Sequence, residues 1–430
     1  MSDKFKDPTA PLVVIIGGGF AGLELAKKLS HKRFRVYLLD KHNYHTFQPL
    51  LYQVATGGLG SDAIAYPLRK VIGPMPNIVF RMAQVERIDK AKKEVITDVG
   101  HFPYDYLVIA TGSNTNFFGN QRLEQLSMPL KSIPEALDIR SYILQEFEKA
   151  LVEQSVTEKQ RNLKFVIVGG GPTGVELAGA MAEIKRNVIS SDYRELDKEL
   201  MNIHLIEAGP RLLAAMTPKS SEAALGFLRN MGVDVRLNTA VKSYDGVELE
   251  LENGEKMKTD TVIWSAGVKG NYLDGLDEAT RVRGNRIQVD EYNKVKGEES
   301  IFAIGDVASM STEQFPNGHP MVAPVAMQQA QLLGDNFVRL QKGQGLKSFR
   351  YTDKGSMATI GRNKAVVDLP WFRFKGWFAW YVWMFVHLIM LVGFRNRLMV
   401  FVNWAWNYFS YERAIRLIIR PFKRKEEVDS

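Results

Sequence analysis

Two blocks of this chain carry the same pattern of apolar and polar positions. Leu12 to Ile16 is an uninterrupted apolar run, followed by Gly17-Gly18-Gly19-Phe20-Ala21-Gly22 and then a helical pattern. Phe165 to Val168 is the second such run, followed by Gly169-Gly170-Gly171-Pro172-Thr173-Gly174 and another helical pattern. The two loops lie 152 residues apart. Each apolar run reads as a buried strand, because a strand covered on both faces loses the polar alternation of a half-exposed one. After the first helix, Arg35 to Leu39 is a strand ending at Asp40; after the second, Ile203 to Ile206 is a strand ending at Glu207. The stretch 184–201 between them reads as an inserted polar helix.

The repeat extends further. The first unit closes with an apolar strand running into Ala110-Thr111-Gly112, and the second with Thr261 to Trp264 running into Ser265-Ala266-Gly267. A helical, one-sidedly polar stretch over 131–162 bridges them. Beyond the second unit come a strand at Ile301 to Ile304 with Gly305-Asp306, a helix over Met321 to Leu340, and short strands within 346–370. The expected organisation is therefore α/β, with two Rossmann-like dinucleotide-binding domains and a C-terminal helical segment. Its parts are 1–130 and 286–345 for the first domain, 131–162 for the bridge, 163–285 for the second domain, and 346–430 for the C-terminal region.

Both loops satisfy G-x-G-x-x-G, at Gly17/Gly19/Gly22 and Gly169/Gly171/Gly174. Such glycines allow a tight strand-to-helix turn and a close approach of backbone to pyrophosphate, which meets free N–H groups at the helix N-terminus. Asp40 and Glu207 stand where a carboxylate binds ribose hydroxyls. Two such sites in one chain suggest two nucleotides brought together for redox chemistry.

Composition narrows the chemistry. The 430 residues contain no cysteine, which removes disulfides, thiolate metal sites and redox dithiols. The seven histidines show no metal-binding spacing, so no metal is predicted. Met1 to Pro11 is short and polar, and the apolar run behind it reads as a strand, not an export signal.

The net charge of +8 is unevenly placed. Between Trp371 and Lys425 there are ten Lys/Arg, one acid (Glu412) and six of the seven tryptophans. Trp377 to Phe394 and Leu398 to Tyr411 carry no formal charge apart from the titratable His387. Tryptophan and basic residues around apolar runs point to a membrane surface, not nucleic acid. Eighteen residues from Trp377 to Phe394 span about 27 Å as a helix, just enough to cross a bilayer, and the second run is too short for a return. A monotopic anchor over 371–425 is the favoured reading.

On these residues the chain resembles the two-dinucleotide-binding flavoproteins of glutathione-reductase-like fold. Within them it resembles type II NADH dehydrogenases, the NADH:quinone oxidoreductases. The resemblance rests on the two Gly loops, His45 to Gln53, Ala323-Pro324-Val325-Ala326-Met327-Gln328-Gln329, and Gly355 to Gly361. It implies non-covalent FAD on the first loop with Asp40, Gln48, Thr111, Gly112 and Asp306, and NADH on the second with Glu207, Ala266 and Gly267. It implies electron transfer to a membrane quinone without proton pumping, at the cytoplasmic face of the cell membrane, and it allows a homodimer. Glu176, early in the second loop's helix, is placed at the nicotinamide–flavin junction; the alternative role is support of the helix start, where the dipole favours a carboxylate. Gln328 is placed at the quinone, with Gln329 as the weaker candidate, and Lys354 beside the flavin. Pro324 stands where some members carry a glutamine, so a two-glutamine clamp does not transfer. Cysteine-dependent sulfide:quinone and disulfide reductases are excluded. A ferredoxin-reductase-like enzyme and a flavin-bound membrane interaction protein remain as alternatives.

Overall fold

The two glycine-loop repeats fold as two copies of one parallel-sheet arrangement in the computed structural model, which describes residues 5, 7–410 and 416–423. The principal elements in chain order begin with β1 (Leu12–Ile16), α1 (Phe20–Leu29), β2 (Arg35–Asp40), β3 (Ile78–Met82) and β4 (Tyr106–Ile109). Next come α2 (Ile133–Val152), β5 (Lys164–Val168), α3 (Pro172–Glu183), β6 (Asn202–Ile206), β7 (Val233–Arg236) and β8 (Thr261–Trp264). Then follow β9 (Ile301–Ala303), α4 (Ala323–Gln341), β10 (Ser356–Gly361), β11 (Lys364–Asp368), α5 (Trp377–Met390) and α6 (Phe394–Ser410).

The described residues form two compact units. The first takes the chain through His45, then Tyr66–Asn114 and Val268–Asp353. Its sheet has the order β9-β4-β1-β2-β3, all parallel. Val13, Val14 and Ile15 of the central strand are fully buried, as the uninterrupted apolar run requires. α1 and α4 pack on each other so closely that a Cβ at Gly334 would run into the stem of Lys28, and Lys28 in turn pairs with Asp335 at 2.8 Å.

The second unit takes Thr46–Ala65, Thr115–Gly267 and the chain from Lys354 onward. Its sheet repeats the order of the first, with a two-residue strand at Met128–Pro129 followed by β8-β5-β6-β7, all parallel. α2 begins at a capping box, Ser132 with Glu135, and buries a stripe that includes Ile139, Ile143 and Phe147. β10 and β11 form an antiparallel hairpin laid against α3. The approach is close at Gly179, where a Cβ would collide with the Ile360 carbonyl. The inserted polar helix expected over 184–201 is not one helix. α3 continues as a π-helical turn over Ile184–Ile189, a short turn follows at Ser190–Asp192, and a 3-10 turn occupies Lys198–Leu200. Ile184, Val188 and Ile189 are buried there, so the segment is a packed continuation of α3.

The C-terminal apolar runs become α5 and α6, broken at Leu391–Gly393. α5 has 14 residues, about 21 Å of helix, and no described helix is long and apolar enough to cross a membrane. Ala379 and Trp383 of α5, and Asn396, Val400 and Trp404 of α6, are buried. The Asn396 amide donates to the carbonyls of Asp62, Ala63 and Ala65 at 3.2, 3.0 and 2.9 Å, tying α6 to that loop. Of the basic tail, Arg413, Arg424 and Lys425, with Glu412, lie outside the described residues.

Candidate functional site

The first glycine loop is built by three different demands on three glycines. Gly17 has φ +108°, and a Cβ there would strike the Ala110 carbonyl; a Cβ on Gly22 would strike the carbonyl of Gly17. Above Gly19 nothing lies within 4 Å. The outer glycines thus close the turn, and the middle one leaves open space at the start of α1, where a pyrophosphate fits. Asp40 holds the loop from β2: its carboxylate accepts from the N–H of Gly18 at 2.6 Å and of His42 at 2.7 Å. His45 braces the other side, with Nδ1 3.0 Å from the Gly18 carbonyl and its ring edge-on to Phe20; burial pushes its pKa down.

The remaining residues expected in that unit gather at the ends of β4 and β9. Thr111 Oγ1 donates to the Asn271 carbonyl at 2.6 Å, and the Asn271 amide returns a bond to the Thr111 carbonyl at 2.9 Å. Gly112 has φ +69° with open space above it. Asp306 accepts from Ser113 Oγ at 2.5 Å, and the neighbouring Gly305 N–H donates to the buried Gln329 Oε1 at 2.8 Å. Gln329 therefore serves the Gly-Asp turn.

The second loop repeats the first in the other unit. Gly169 has φ +109°, Gly174 would collide with the Gly169 carbonyl, and nothing lies within 4 Å of a Cβ on Gly171. Glu207 accepts from Gly170 N–H at 2.5 Å and Gly209 N–H at 2.6 Å. Arg211, four residues on, is drawn away to the Ala214 carbonyl at 2.7 Å. Ala266 receives the Trp264 indole N–H on its carbonyl at 3.0 Å, and Gly267 turns the chain with φ +73°.

The repeats part company at the glutamate of each helix. Glu24 in α1 sits at the surface edge and accepts from Gln331 at 3.0 Å. Glu176, at the matching place in α3, is only 7% exposed. Its one backbone donor is Thr359 N–H at 3.4 Å. Burial drives its carboxyl well above the usual carboxylate range; that donor and the nearby Trp383 indole oppose the shift only in part. The helix dipole expected to stabilise a carboxylate here loses to desolvation, which favours the protonated form of Glu176.

Glu176 faces a cavity of about 570 Å³ contained within the second unit. Its lining mixes apolar groups, among them Trp380, Trp383, Met384 and Trp404, with charged ones, among them Lys185, Arg186, Lys198, Arg362, Lys364, Glu183 and Glu199. The Arg362 guanidinium lies 4.0 Å over the Tyr408 ring. Trp404 Nε1 donates to Gln53 Oε1 at 2.8 Å, and Asn407 donates to the Gly58 carbonyl at 3.1 Å, so α6 forms a fixed wall. His387 stacks on Trp383 with ring centroids 4.1 Å apart, and burial lowers its pKa to about 4. It is uncharged at neutral pH, which leaves the run over 377–394 without charge.

Three expected residues are not at this cavity. Gln328 spends both ends of its amide on the Thr352 backbone, donating to the carbonyl at 2.9 Å and accepting from the N–H at 3.0 Å. Lys354 is exposed, two residues beyond Thr352, and precedes Gly355, whose φ of +90° turns the chain into β10. Gln48 is exposed in a short 3-10 turn. The residues not anticipated are Trp383, Trp404 and Asn396. They sit among apolar residues, and only Asn396 stands out by polarity, as an uncharged amide between Arg395 and Arg397. Among the described residues no cluster suited to a metal ion occurs.

The outward sides of α5 and α6 expose Trp377, Tyr381, Phe385 and Ile389, spaced by four, and Phe394, Leu398, Trp406 and Phe409. An apolar face of this extent is unusual on a protein in water.

Known proteins are similar to this chain over most of its length. A family profile described as pyridine nucleotide-disulphide oxidoreductase matches residues 11–330, and one described as the NDH2 C-terminal domain matches residues 354–410. The type II NADH:quinone oxidoreductase Ndh of Mycobacterium tuberculosis is 34% identical over 424 residues, covering 95% of this chain and 90% of that protein. The type II NADH:quinone oxidoreductase of Haemophilus influenzae is 32% identical, covering 83% of this chain and 86% of its own. The solved structure of NDH2 from Plasmodium falciparum in complex with NADH superposes with a TM-score of 0.87 at 23% identity, over 96% of this chain and 100% of that one; at that identity the likeness is one of fold.

Proposed function

We propose how the work is divided among the residues of this chain, which belongs to the type II NADH:quinone oxidoreductase family. As a member it is an α/β flavoenzyme that oxidises NADH and reduces a quinone without pumping protons, with FAD as its cofactor. The observation carrying the proposal is the pair of matched glycine cradles, each with a carboxylate accepting from the second glycine's N–H, in a chain whose buried Glu176, its pKa raised by burial, faces a cavity lined by both aromatic and charged groups.

The fit to FAD is tested by the first cradle. The open space over Gly19 and Gly112 accommodates a ligand that a Cβ would crowd, and Asp40 and Asp306 offer acceptors to its hydroxyls. The domain holding it would comprise 1–130 and 286–345, and 163–285 would hold NADH on Gly169, Gly171, Gly174, Glu207, Ala266 and Gly267. When bound, FAD supplies the acceptor for hydride and the donor of electrons to quinone. The chain's own residues do the rest. Glu207 accepts from the adenosine ribose and repels a 2′-phosphate. Glu176, whose burial favours its protonated form, would pass a proton to a reduced quinone entering the cavity. Gln328 fixes Thr352 and so positions the chain leading to Lys354, whose ammonium would stand beside the flavin when FAD is bound.

Attachment to the membrane is peripheral, through the exposed aromatic faces of α5 and α6, with Arg373, Lys375, Arg395 and Arg397 toward anionic headgroups at the cytoplasmic leaflet. Self-association as a homodimer completes the reading, checked by light scattering of the detergent-solubilised enzyme. The decisive experiment is anaerobic titration of the flavoprotein with NADH and then with a quinone, recording the flavin spectrum. Bleaching followed by recovery supports the assignment. A flavin that NADH does not reduce, or that quinone does not reoxidise, overturns it.

A further inference from the structure

We propose that a small monovalent anion of halide size binds between Arg140 of α2 and Arg416 of the tail beyond α6, in a second cavity of the second unit. This cavity shares no lining residue with the one beside Glu176 and takes none from the Gly169 loop.

The cavity is small, about 20 Å³, enough for one occupant of the size of a water molecule or a halide. Beside the two arginines its lining is mostly apolar, with Ile143, Leu144 and Phe147 from α2 and Ile184 and Val188 from the π-helical turn. Arg140 is the unusual member. It is 8% exposed, and its Nε meets no acceptor among the described residues. Burial alone pulls its pKa down, with no carboxylate acting against the shift. A guanidinium stays charged and carries five N–H donors, so a buried one without an acid leaves a charge uncompensated. The positions one helical turn away, Ala136, Leu137, Ile143 and Leu144, carry no acid. The acids of α2 are committed elsewhere. Glu135 belongs to the capping box, Asp138 pairs with Arg420 at 3.1 Å, Glu146 pairs with Lys149 at 2.7 Å, and Glu148 accepts from the Tyr193 hydroxyl at 3.1 Å.

Arg416 brings a second positive charge to the same small space. Its guanidinium pairs with Asp192, and further along the tail the Phe422 backbone exchanges two hydrogen bonds with the Gln145 amide, at 2.7 and 3.1 Å. The Phe422 ring meets Tyr142 edge-on. These contacts lay the tail against α2 and hold Arg416 at the cavity, although no acid stands among the described lining residues. A water molecule there accepts from a donor but cancels no charge; one monovalent anion does both. Size and lining select the ion. The space is too small for phosphate or sulfate, and its apolar walls favour a weakly hydrated halide. The bound ion then ties α2 to the tail that follows the aromatic helices.

The test titrates the full-length flavoprotein in nonionic detergent with sodium chloride, against sodium gluconate at constant ionic strength, and reads the chloride NMR line width. Saturable excess broadening is expected, chased by bromide and not by phosphate. Arg140→Met keeps the apolar stem of the side chain and should weaken chloride by at least about tenfold, the scale of a lost charge-assisted hydrogen bond. Arg416→Gln, at a partly exposed position, should weaken it as well and serves should Arg140→Met not fold; bound flavin reports folding in both. Crystals grown in sodium bromide supply the location, with an anomalous peak expected within hydrogen-bond reach of the Arg140 guanidinium. Broadening that is equal in the parent and the folded variants overturns the proposal. So does phosphate chasing chloride as well as bromide does, or the absence of bromide at Arg140. Chloride binding that emerges only in Glu412→Gln overturns it too, because a carboxylate of the tail would then take the place of the ion.

Discussion

Replacing Glu176 by Gln keeps the shape of the side chain and removes its titration. Thr359 N–H can still donate to the amide oxygen, so packing and the one backbone contact survive. What changes is proton linkage. The folded pKa of Glu176 is raised by burial, so the native state holds a proton that the unfolded chain releases above about its ordinary value of 4.5. Stability contributed through this group is thus fully present below 4.5 and is lost as pH rises toward the folded pKa. Each pH unit above 4.5 over which the buried carboxyl keeps its proton costs at most about 1.4 kcal/mol. Glu176→Gln carries no such cost. Relative to the parent it should gain stability as pH rises from 4.5 to 7, and the advantage should shrink as pH falls back toward 4.5. The assay is denaturant unfolding of both proteins, saturated with FAD, at several values from pH 4.5 to 7.5. Infrared spectroscopy at pH 7 should show a protonated-carboxyl band that the variant lacks. A stability difference that stays flat across this range would falsify the buried-acid reading, because Glu176 would then titrate alike in both states.

His387 contributes the opposite slope: its folded pKa of about 4 lies below the ordinary 6.5, so its contribution is present above pH 6.5 and lost as pH falls toward 4. His387→Phe should remove about 1.4 kcal/mol per pH unit of acid destabilisation in that window, read by the same unfolding series; an unchanged acid limb refutes it. Glu207→Gln should narrow the preference for NADH over NADPH by roughly tenfold, since a like charge is removed from beside the 2′-phosphate and Arg211 is already tied to Ala214; kcat/KM with both nucleotides measures it, and equal values for the parent sink the assignment. Gln328→Ala removes two hydrogen bonds to Thr352, about 1–2 kcal/mol of local order, and should slow flavin reoxidation by quinone while leaving reduction by NADH intact in stopped-flow traces. A slowing of reduction alone reverses that role. Trp377→Gln/Phe385→Gln/Trp406→Gln should abolish liposome flotation with the fold kept. This triple variant is a cleaner probe than deleting 371–430, because the deletion also strips Trp383, Val400 and Trp404 from the core of the second unit.

The sequence by itself determined the two glycine cradles, the acids that follow them and the repeat of strand, glycine loop, helix and strand. A G-x-G-x-x-G turn between a buried strand and a helix has few conformations open to it, and its geometry is local. The aromatic, basic tail was legible for a similar reason: a long uncharged run flanked by Arg and Lys has no stable place in water. Tertiary structure alone decided the rest. The same glutamate at the same place in two repeats is a surface residue at Glu24 and a buried acid at Glu176, and what differs is the chain packed over it, Thr359 and Trp383, from 183 and 207 residues further on. Gln328 has the chemistry to bind a quinone, yet its amide is consumed by a backbone it meets only in the folded chain. Cations at 185, 198 and 364 look like ordinary solvated residues along the sequence. They line one cavity because three segments converge there, and desolvation and the distances between charges are set by packing.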